Sequence, residues 1–209
     1  MAKIIISENV TLDGVVQDPT GDEGFRVGGW FSQVENRDRE EWARVELDEA
    51  LGAEALLLGR RTYEFFAARW PTRSGQWADR LNSLPKYVVS ATLQDPSWNN
   101  STVLTGDLVD QVSTLRRKVN GDIIVYGSFQ LVHTLIEHDL VDELRLMIYP
   151  FVLGAGERLF GKTSGMKYMR LIATCTVGNG VAFLTYQPVR DASPCPAKAL
   201  AAARPARRP

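Results

Sequence analysis

Cysteine and histidine are scarce in this chain, with two of each among 209 residues. Cys175 and Cys195 form neither a disulfide framework nor a CxxC redox pair, which fits a reducing compartment. His133 and His138 share one helical segment, with no cysteine or further histidine at ligand spacing, so no metal site is expected. An excess of one charge sign is also missing. The formal net charge is -1, so global charge implies no nucleic-acid partner and no anionic-membrane partner. No apolar run is long enough to span a bilayer and no signal-peptide pattern is present, so the expectation is a cytoplasmic protein. Two catalytic signatures are lacking as well. There is no G-x-S-x-G elbow, and Pro194-Cys195 has neither the partner cysteine nor the upstream H-x-E of a zinc deaminase.

The chain does have apolar material for one full core: 44% of it is hydrophobic and only 23% charged, which favours a single domain. That domain is expected to cover residues 1–190. The remainder, 191–209, holds Pro194, Pro196, Pro205 and Pro209 among alanines and arginines, and is expected to be a disordered tail.

The stretch Gly121 to Gly161 organises the rest. The apolar, β-branched run Asp122 to Tyr126 stops at Gly127-Ser128, and Leu131, Val132, Leu135 and Ile136 then recur at helical spacing. A second β-rich run follows, so the stretch reads as a βαβ unit. At its slim strand-to-helix turn the first free N–H groups of the helix can face an anion, which makes Gly127 and Ser128 a candidate ligand site.

Elsewhere, Lys3 to Val10 reads as a buried strand because Ile4, Ile5 and Ile6 are consecutive. The glycine-rich segment Thr20 to Gly29 reads as a functional or mobile loop, with Trp30 and Phe31 either walling a pocket or anchoring it. Asp38 to Leu51 is expected to be a helix burying Ala43, Leu47, Ala50 and Leu51. A short strand, Ala55 to Leu58, runs into Gly59-Arg60-Arg61-Thr62 and a further helix. Guanidinium groups at such a turn suit phosphate oxygens, and Thr62 can cap the helix or bind the same anion. Lys86 to Ser90 is a third buried strand ending in a hydroxyl. A hairpin around Gly178-Asn179-Gly180 adds an antiparallel pair, with Cys175 expected in the core.

Gly156 to Thr163 matches the P-loop pattern letter for letter. Its interior holds Arg158, Leu159 and Phe160, however, and a strand-period run follows where the phosphate-binding helix should start, so it reads as a connecting loop. What recurs instead is a design. Gly59 to Thr62, Ser90 and Gly127-Ser128 all fall at C-terminal ends of expected parallel strands, the edge where open α/β sheets bind ligands. Three anion-suited turns on one edge suggest a dinucleotide.

These blocks carry a family resemblance. IIISENVTLDGVVQDP, LLLGRRTYEFFAARWP, KYVVS and above all YGSFQLVHTLIEHDLVDELRLMIYPFVLGAGERLF resemble the dihydrofolate reductase-like family, in the branch of the bacterial riboflavin-biosynthesis reductase domain. The resemblance implies a dihydrofolate reductase-like α/β fold, a mostly parallel sheet with flanking helices and a C-terminal antiparallel hairpin. It also implies an NADPH-dependent oxidoreductase acting on a small pterin-like or pyrimidine-like heteroaromatic or carbonyl substrate, and a homodimer. It would put Gly59, Arg60 and Thr62, with Arg61 beside them, on the pyrophosphate and Ser90 near the adenosine 2′-phosphate. Gly127 and Ser128, after Tyr126, would hold the pyrophosphate from the other side, and Leu12, Asp13 and Gly14 would lie over the nicotinamide. Asp13, or a carboxylate near Asp38, is the candidate proton donor. The rival expectation is an NADP(H)-binding sensor or scaffold without turnover.

Overall fold

The computed structural model describes residues 1–190, so the expected tail lies outside the described residues. Its strands are β1 (Ile4–Thr11), β2 (Ala53–Gly59), β3 (Lys86–Val89), β4 (Ser101–Leu104), β5 (Asp122–Tyr126), β6 (Glu143–Tyr149), β7 (Met169–Val177) and β8 (Val181–Pro188). They form one sheet in the order β4-β3-β2-β5-β1-β6-β8-β7. The pairs from β4 to β6 are all parallel, and β8 runs antiparallel to both β6 and β7. The helices are α1 (Asn36–Gly52), α2 (Arg60–Ala67), α3 (Gln76–Ser83), α4 (Leu108–Lys118) and α5 (Phe129–Glu137). None of the described helices is long and apolar enough to cross a membrane. This is the expected dihydrofolate reductase-like α/β architecture.

The isoleucine run explains the centre of the sheet. Ile4, Ile5 and Ile6 are at most 1% exposed because β1 is covered on both faces. Ile4 and Ile6 pack with Val132 and Leu135 of α5, while Ile5 packs on the opposite face with Leu56 and Leu58. The expected βαβ unit is present as β5-α5-β6, with one difference. Its two strands are not neighbours, since β1 inserts between them and pairs with both.

Two expectations about burial fail. In α1 the face turned inward carries Asp38, Glu46 and Glu49 with Ala50, whereas Leu51 is 43% exposed. Glu49 is drawn in by Ser7 and Arg145 on the sheet and Asp38 by the Asn179 N–H in the β7–β8 turn, partners that no helical period can register. Cys175, expected in the core, is exposed: β7 is the edge strand, and residues 170–176 are exposed on both of its faces.

Candidate active site

The turns after β2 and β5 are bonded to each other. Gly127 and Ser128 both take the left-handed conformation, with φ of 56° and 61°. This brings the Ser128 N–H to Thr62 Oγ1 at 2.9 Å and the Ser128 hydroxyl to within 2.9 Å of the Gly59 N–H, which donates to it. A side chain on Gly127 would bring its Cβ within 3.1 Å of Thr62 Oγ1, so only glycine fits. Thr62 therefore ties the turns together instead of capping its own helix. Neither α2 nor α5 has a side-chain cap, which leaves first-turn N–H groups of both helices available at this edge.

Arg60 extends the junction toward β3. Its guanidinium donates to Glu64 at 2.7 Å and to Thr92 Oγ1 at 2.6 Å. Ser90, at the end of β3, is 9% exposed, and its hydroxyl accepts the N–H groups of Thr92 and Leu93 at 3.2 and 2.9 Å. Ser90 thus shapes the loop that presents Thr92. Thr92, three residues past the strand, carries no sequence signal of its own beside the strand-end hydroxyl. Arg61 is exposed and makes no hydrogen bond or ion pair among the described residues.

Leu12, Asp13 and Gly14 follow β1, which lies beside β5, so this segment sits at the same sheet edge. Leu12 is 63% exposed and its N–H donates to the Phe151 carbonyl. Asp13 accepts the Thr11 hydroxyl at 2.7 Å and the N–H groups of Gly154 and Leu153 at 2.9 and 3.2 Å. The Thr11 hydroxyl chiefly, and then these N–H groups, hold its carboxyl at about 2, against the opposing pull of desolvation. Such a group keeps no proton to give near neutral pH. Asp13 is a loop clamp, and so is its neighbour in space, Arg158, which bonds the Asp13 carbonyl. Arg158 belongs to the segment that matches the P-loop pattern. Leu159 there is fully buried and donates to the Gly14 carbonyl, and among the described residues no helix follows.

Asp38 is the other expected proton donor. It is 4% exposed at the start of α1 and accepts the Asn179 N–H at 2.6 Å, which secures the turn between β7 and β8. Two further buried carboxyls lie along α1, Glu46 and Glu49. Glu49 accepts the Ser7 hydroxyl at 2.7 Å and the Arg145 guanidinium at 3.0 Å, and Arg145 also donates to Glu143 at 2.6 Å. Burial pushes Glu46 well above the ordinary carboxylate range, with Glu49 adding to the effect and Arg145 opposing it. Burial likewise raises Tyr126, and Glu46 and Glu49 raise it further. The Tyr126 and Tyr149 hydroxyls are buried without a hydrogen-bond partner among the described residues.

An aromatic wall completes this side. Trp30 packs edge-on to Tyr149 at 5.3 Å between centroids, Phe31 meets Trp42 at 4.6 Å, and the Trp30 indole donates to the Gln17 carbonyl at 3.0 Å. Trp30 is 2% exposed, so it anchors the loop before it, whose N–H groups at Glu23 and Phe25 bond Asp18. Of the residues singled out in the sequence, Gly59, Arg60, Thr62, Tyr126, Gly127 and Ser128 meet at one edge, with Leu12 to Gly14 beside them. Trp42, Glu46, Glu49 and Tyr149 were not anticipated.

Comparison with known proteins agrees with this architecture. YyaP of Bacillus subtilis (strain 168) is 26% identical over 192 residues, spanning 88% of this chain and 94% of that protein. A candidate riboflavin biosynthesis protein from Shewanella sp. PV-4 superposes with a TM-score of 0.72 at 23% identity, covering 91% of this chain and all of the other, 100%. The Enterococcus faecalis dihydrofolate reductase, solved with NADP(H), superposes at 0.54 with 12% identity, covering 89% of this chain and 96% of that one. At these identities the two structures establish the fold alone. The family model of the RibD C-terminal domain matches residues 2–183, and the chain belongs to that reductase-like family.

Proposed function

We propose that the protein is an NADPH-dependent reductase that delivers hydride to a small heteroaromatic or carbonyl substrate. The observation that carries this reading is the bonded junction of Gly59 to Thr62 with Gly127-Ser128 at the C-terminal sheet edge. The residues present fit the cofactor. Two uncapped helix starts face the junction, and Gly127 has no room for a side chain. Gly59, Arg61 and Thr62 would serve one side of the pyrophosphate and Gly127 with Ser128 the other. Arg60 and Thr92, on the loop shaped by Ser90, would meet the 2′-phosphate. Tyr126, Leu12 and Gly14 would border the nicotinamide, which when bound supplies the hydride. The chain contributes placement and exclusion of water.

Calorimetry with NADPH and NADH, followed by the absorbance of reduced cofactor against pterins, quinones, nitro compounds and aldehydes, tests the reading. NADPH should bind tightly, NADH weakly, and at least one acceptor should drive oxidation. Binding without consumption across the panel would point to a sensor or scaffold, and equal affinity for both cofactors would remove the role of Arg60.

The reading extends to a cytoplasmic homodimer. Its support is the long edge strand β7, where Leu171 and Ile172 are 48% and 45% exposed. Light scattering should give twice the chain mass.

A further inference from the structure

Beneath α1 lies a line of buried polar groups. Three carboxyls enter the interior there, Asp38, Glu46 and Glu49, at 4%, 5% and 7% exposure. Two tyrosines face them from the sheet, Tyr126 at 7% and Tyr149 at 0%, and neither hydroxyl has a partner among the described residues. Burying a hydroxyl without a partner is costly, so a pair of them beside a carboxyl points to a ligand that completes their bonding. Tyr126 immediately precedes Gly127, which places this residue next to the junction described above.

We propose that Tyr126 and Tyr149 form the acceptor half of the cleft, that Glu46 stores the proton passed through Tyr126, and that the acceptor is an uncharged carbonyl or ring-imine compound without a phosphate. This inference rests on the NADPH reading above. Charge selects the acceptor class. The guanidinium in this layer, Arg145, is already bonded to Glu49 and Glu143, so among the described residues no free cation is left to meet a phosphate under α1. An anion placed against Asp38, Glu46 and Glu49 would be both desolvated and repelled. A neutral flat ring finds the half-buried Phe31 and Trp42, which pack on each other at the edge of this layer.

The groups facing Glu46 are Glu49 on its own helix and, from the sheet, Glu8, Arg145, Tyr126 and Tyr149. Burial and the neighbouring carboxylate favour its neutral, proton-holding form. A path for recharging exists at the far end of the helix. A cavity of about 410 Å³, lined by Asp48, Glu49, Asp122, Glu143 and Arg145, opens at the starts of β5 and β6. Glu49, three residues from Glu46 on the helix, lies between that cavity and Glu46.

The step balances as follows. The acceptor carbon gains the hydride with its two electrons, the C=O π bond opens onto oxygen, and that oxygen takes the Tyr126 proton. Tyr126 is reprotonated from Glu46 through a water admitted with the acceptor, and Glu46 by solvent from the cavity through Glu49. The products are an alcohol and the oxidised cofactor. Tyr126 is the residue that would touch the reacting oxygen, and Glu46 acts through it.

The test compares wild type with Glu46→Gln, Glu46→Asp and Tyr126→Phe, using 4-nitrobenzaldehyde and the anionic 4-carboxybenzaldehyde as probes. Wild type should oxidise NADPH at least about tenfold faster with the neutral aldehyde. Glu46→Gln should bind NADPH within about twofold of wild type, lose about 10²–10⁴ in kcat, and lose the alkaline fall in rate, with partial rescue by Glu46→Asp. Tyr126→Phe should lower kcat similarly and gives a second variant if the glutamine change misfolds.

A readout independent of turnover is urea unfolding against pH. Because Glu46 is raised in the fold, the unfolded chain binds fewer protons above its ordinary value of 4.5, so wild-type stability should fall as pH rises and Glu46→Gln should flatten that fall. Equal rates with the two aldehydes, an unchanged pH profile in Glu46→Gln, or NADPH binding with no oxidation by either aldehyde overturns the proposal. Failure of wild type to bind NADPH at all overturns the cofactor reading first, and this inference with it.

Discussion

Ser128 gives its backbone N–H to Thr62 Oγ1 at 2.9 Å, across a separation of 66 residues. The bond joins two strand-to-helix turns whose alignment decides whether two helix starts can face one anion. Replacing Thr62 by valine keeps the shape and removes the acceptor, leaving the Ser128 N–H without its partner. Thr62→Val should cost about 1–3 kcal/mol in urea unfolding, with weaker NADPH binding, while Thr62→Ser should retain both. Wild-type stability and affinity in the valine variant would detach the bond from the site.

Arg60 supplies the second prediction. Its guanidinium is shared between Glu64 and Thr92, which are half-exposed or loop partners that a phosphate can displace cheaply. Arg60→Ala should weaken NADPH binding about tenfold or more while leaving NADH binding within about twofold, because only the former carries the 2′-phosphate. Calorimetry with both cofactors decides it, and equal losses would place Arg60 on the pyrophosphate instead.

Asp13 tests the assignment of a clamp against that of an acid. Its ordinary value of 3.8 is lowered to about 2 in the fold, so the unfolded chain binds more protons between these values. The stabilisation it provides is present above about 4 and is lost as pH falls through about 2. Asp13→Asn should therefore lower stability at neutral pH by about 1–2 kcal/mol, flatten the acid limb of the urea midpoint against pH, and leave the pH profile of turnover near neutrality unchanged. A change in that profile would restore Asp13 as a proton donor.

These cases show which parts of the site could be read from the chain. Ile4 to Ile6, the Gly59 to Thr62 turn and Gly127-Ser128 were legible because their signals are local: consecutive β-branched residues, and small residues where strand becomes helix. The bonded partnership of Thr62 and Ser128 was not legible, since it depends on β2 and β5 lying side by side. Glu46 and Glu49 were hidden for the same reason. Glu49 turns inward because Ser7 and Arg145 await it, 42 and 96 residues away, whereas helical spacing alone nominated Leu51. Ser90 was correctly located at the strand end, yet its hydroxyl is spent on its own loop, and Thr92 presents the free side.

Lys86 carries the last prediction. It is fully buried at the start of β3, its ammonium donating to the Asn82 and Asn99 carbonyls at 2.7 and 2.9 Å over the Trp98 ring. Those bonds hold the last turn of α3 against the loop entering β4, and so set the edge on which Ser90 and Thr92 stand. Burial lowers the amine from its ordinary 10.5 to about 8, so between these values the unfolded chain binds more protons and stability rises with pH. The contribution is complete above about 10.5 and falls away as pH drops through about 8. Lys86→Met keeps the stem and orphans two carbonyls, a cost of about 1–3 kcal/mol at neutral pH. Urea unfolding at successive pH values should find that cost larger near pH 10 than near pH 7, because only the wild type gains stability across the interval. A cost that shrinks with pH would mean that the ammonium, and not the neutral amine, is the form the fold favours.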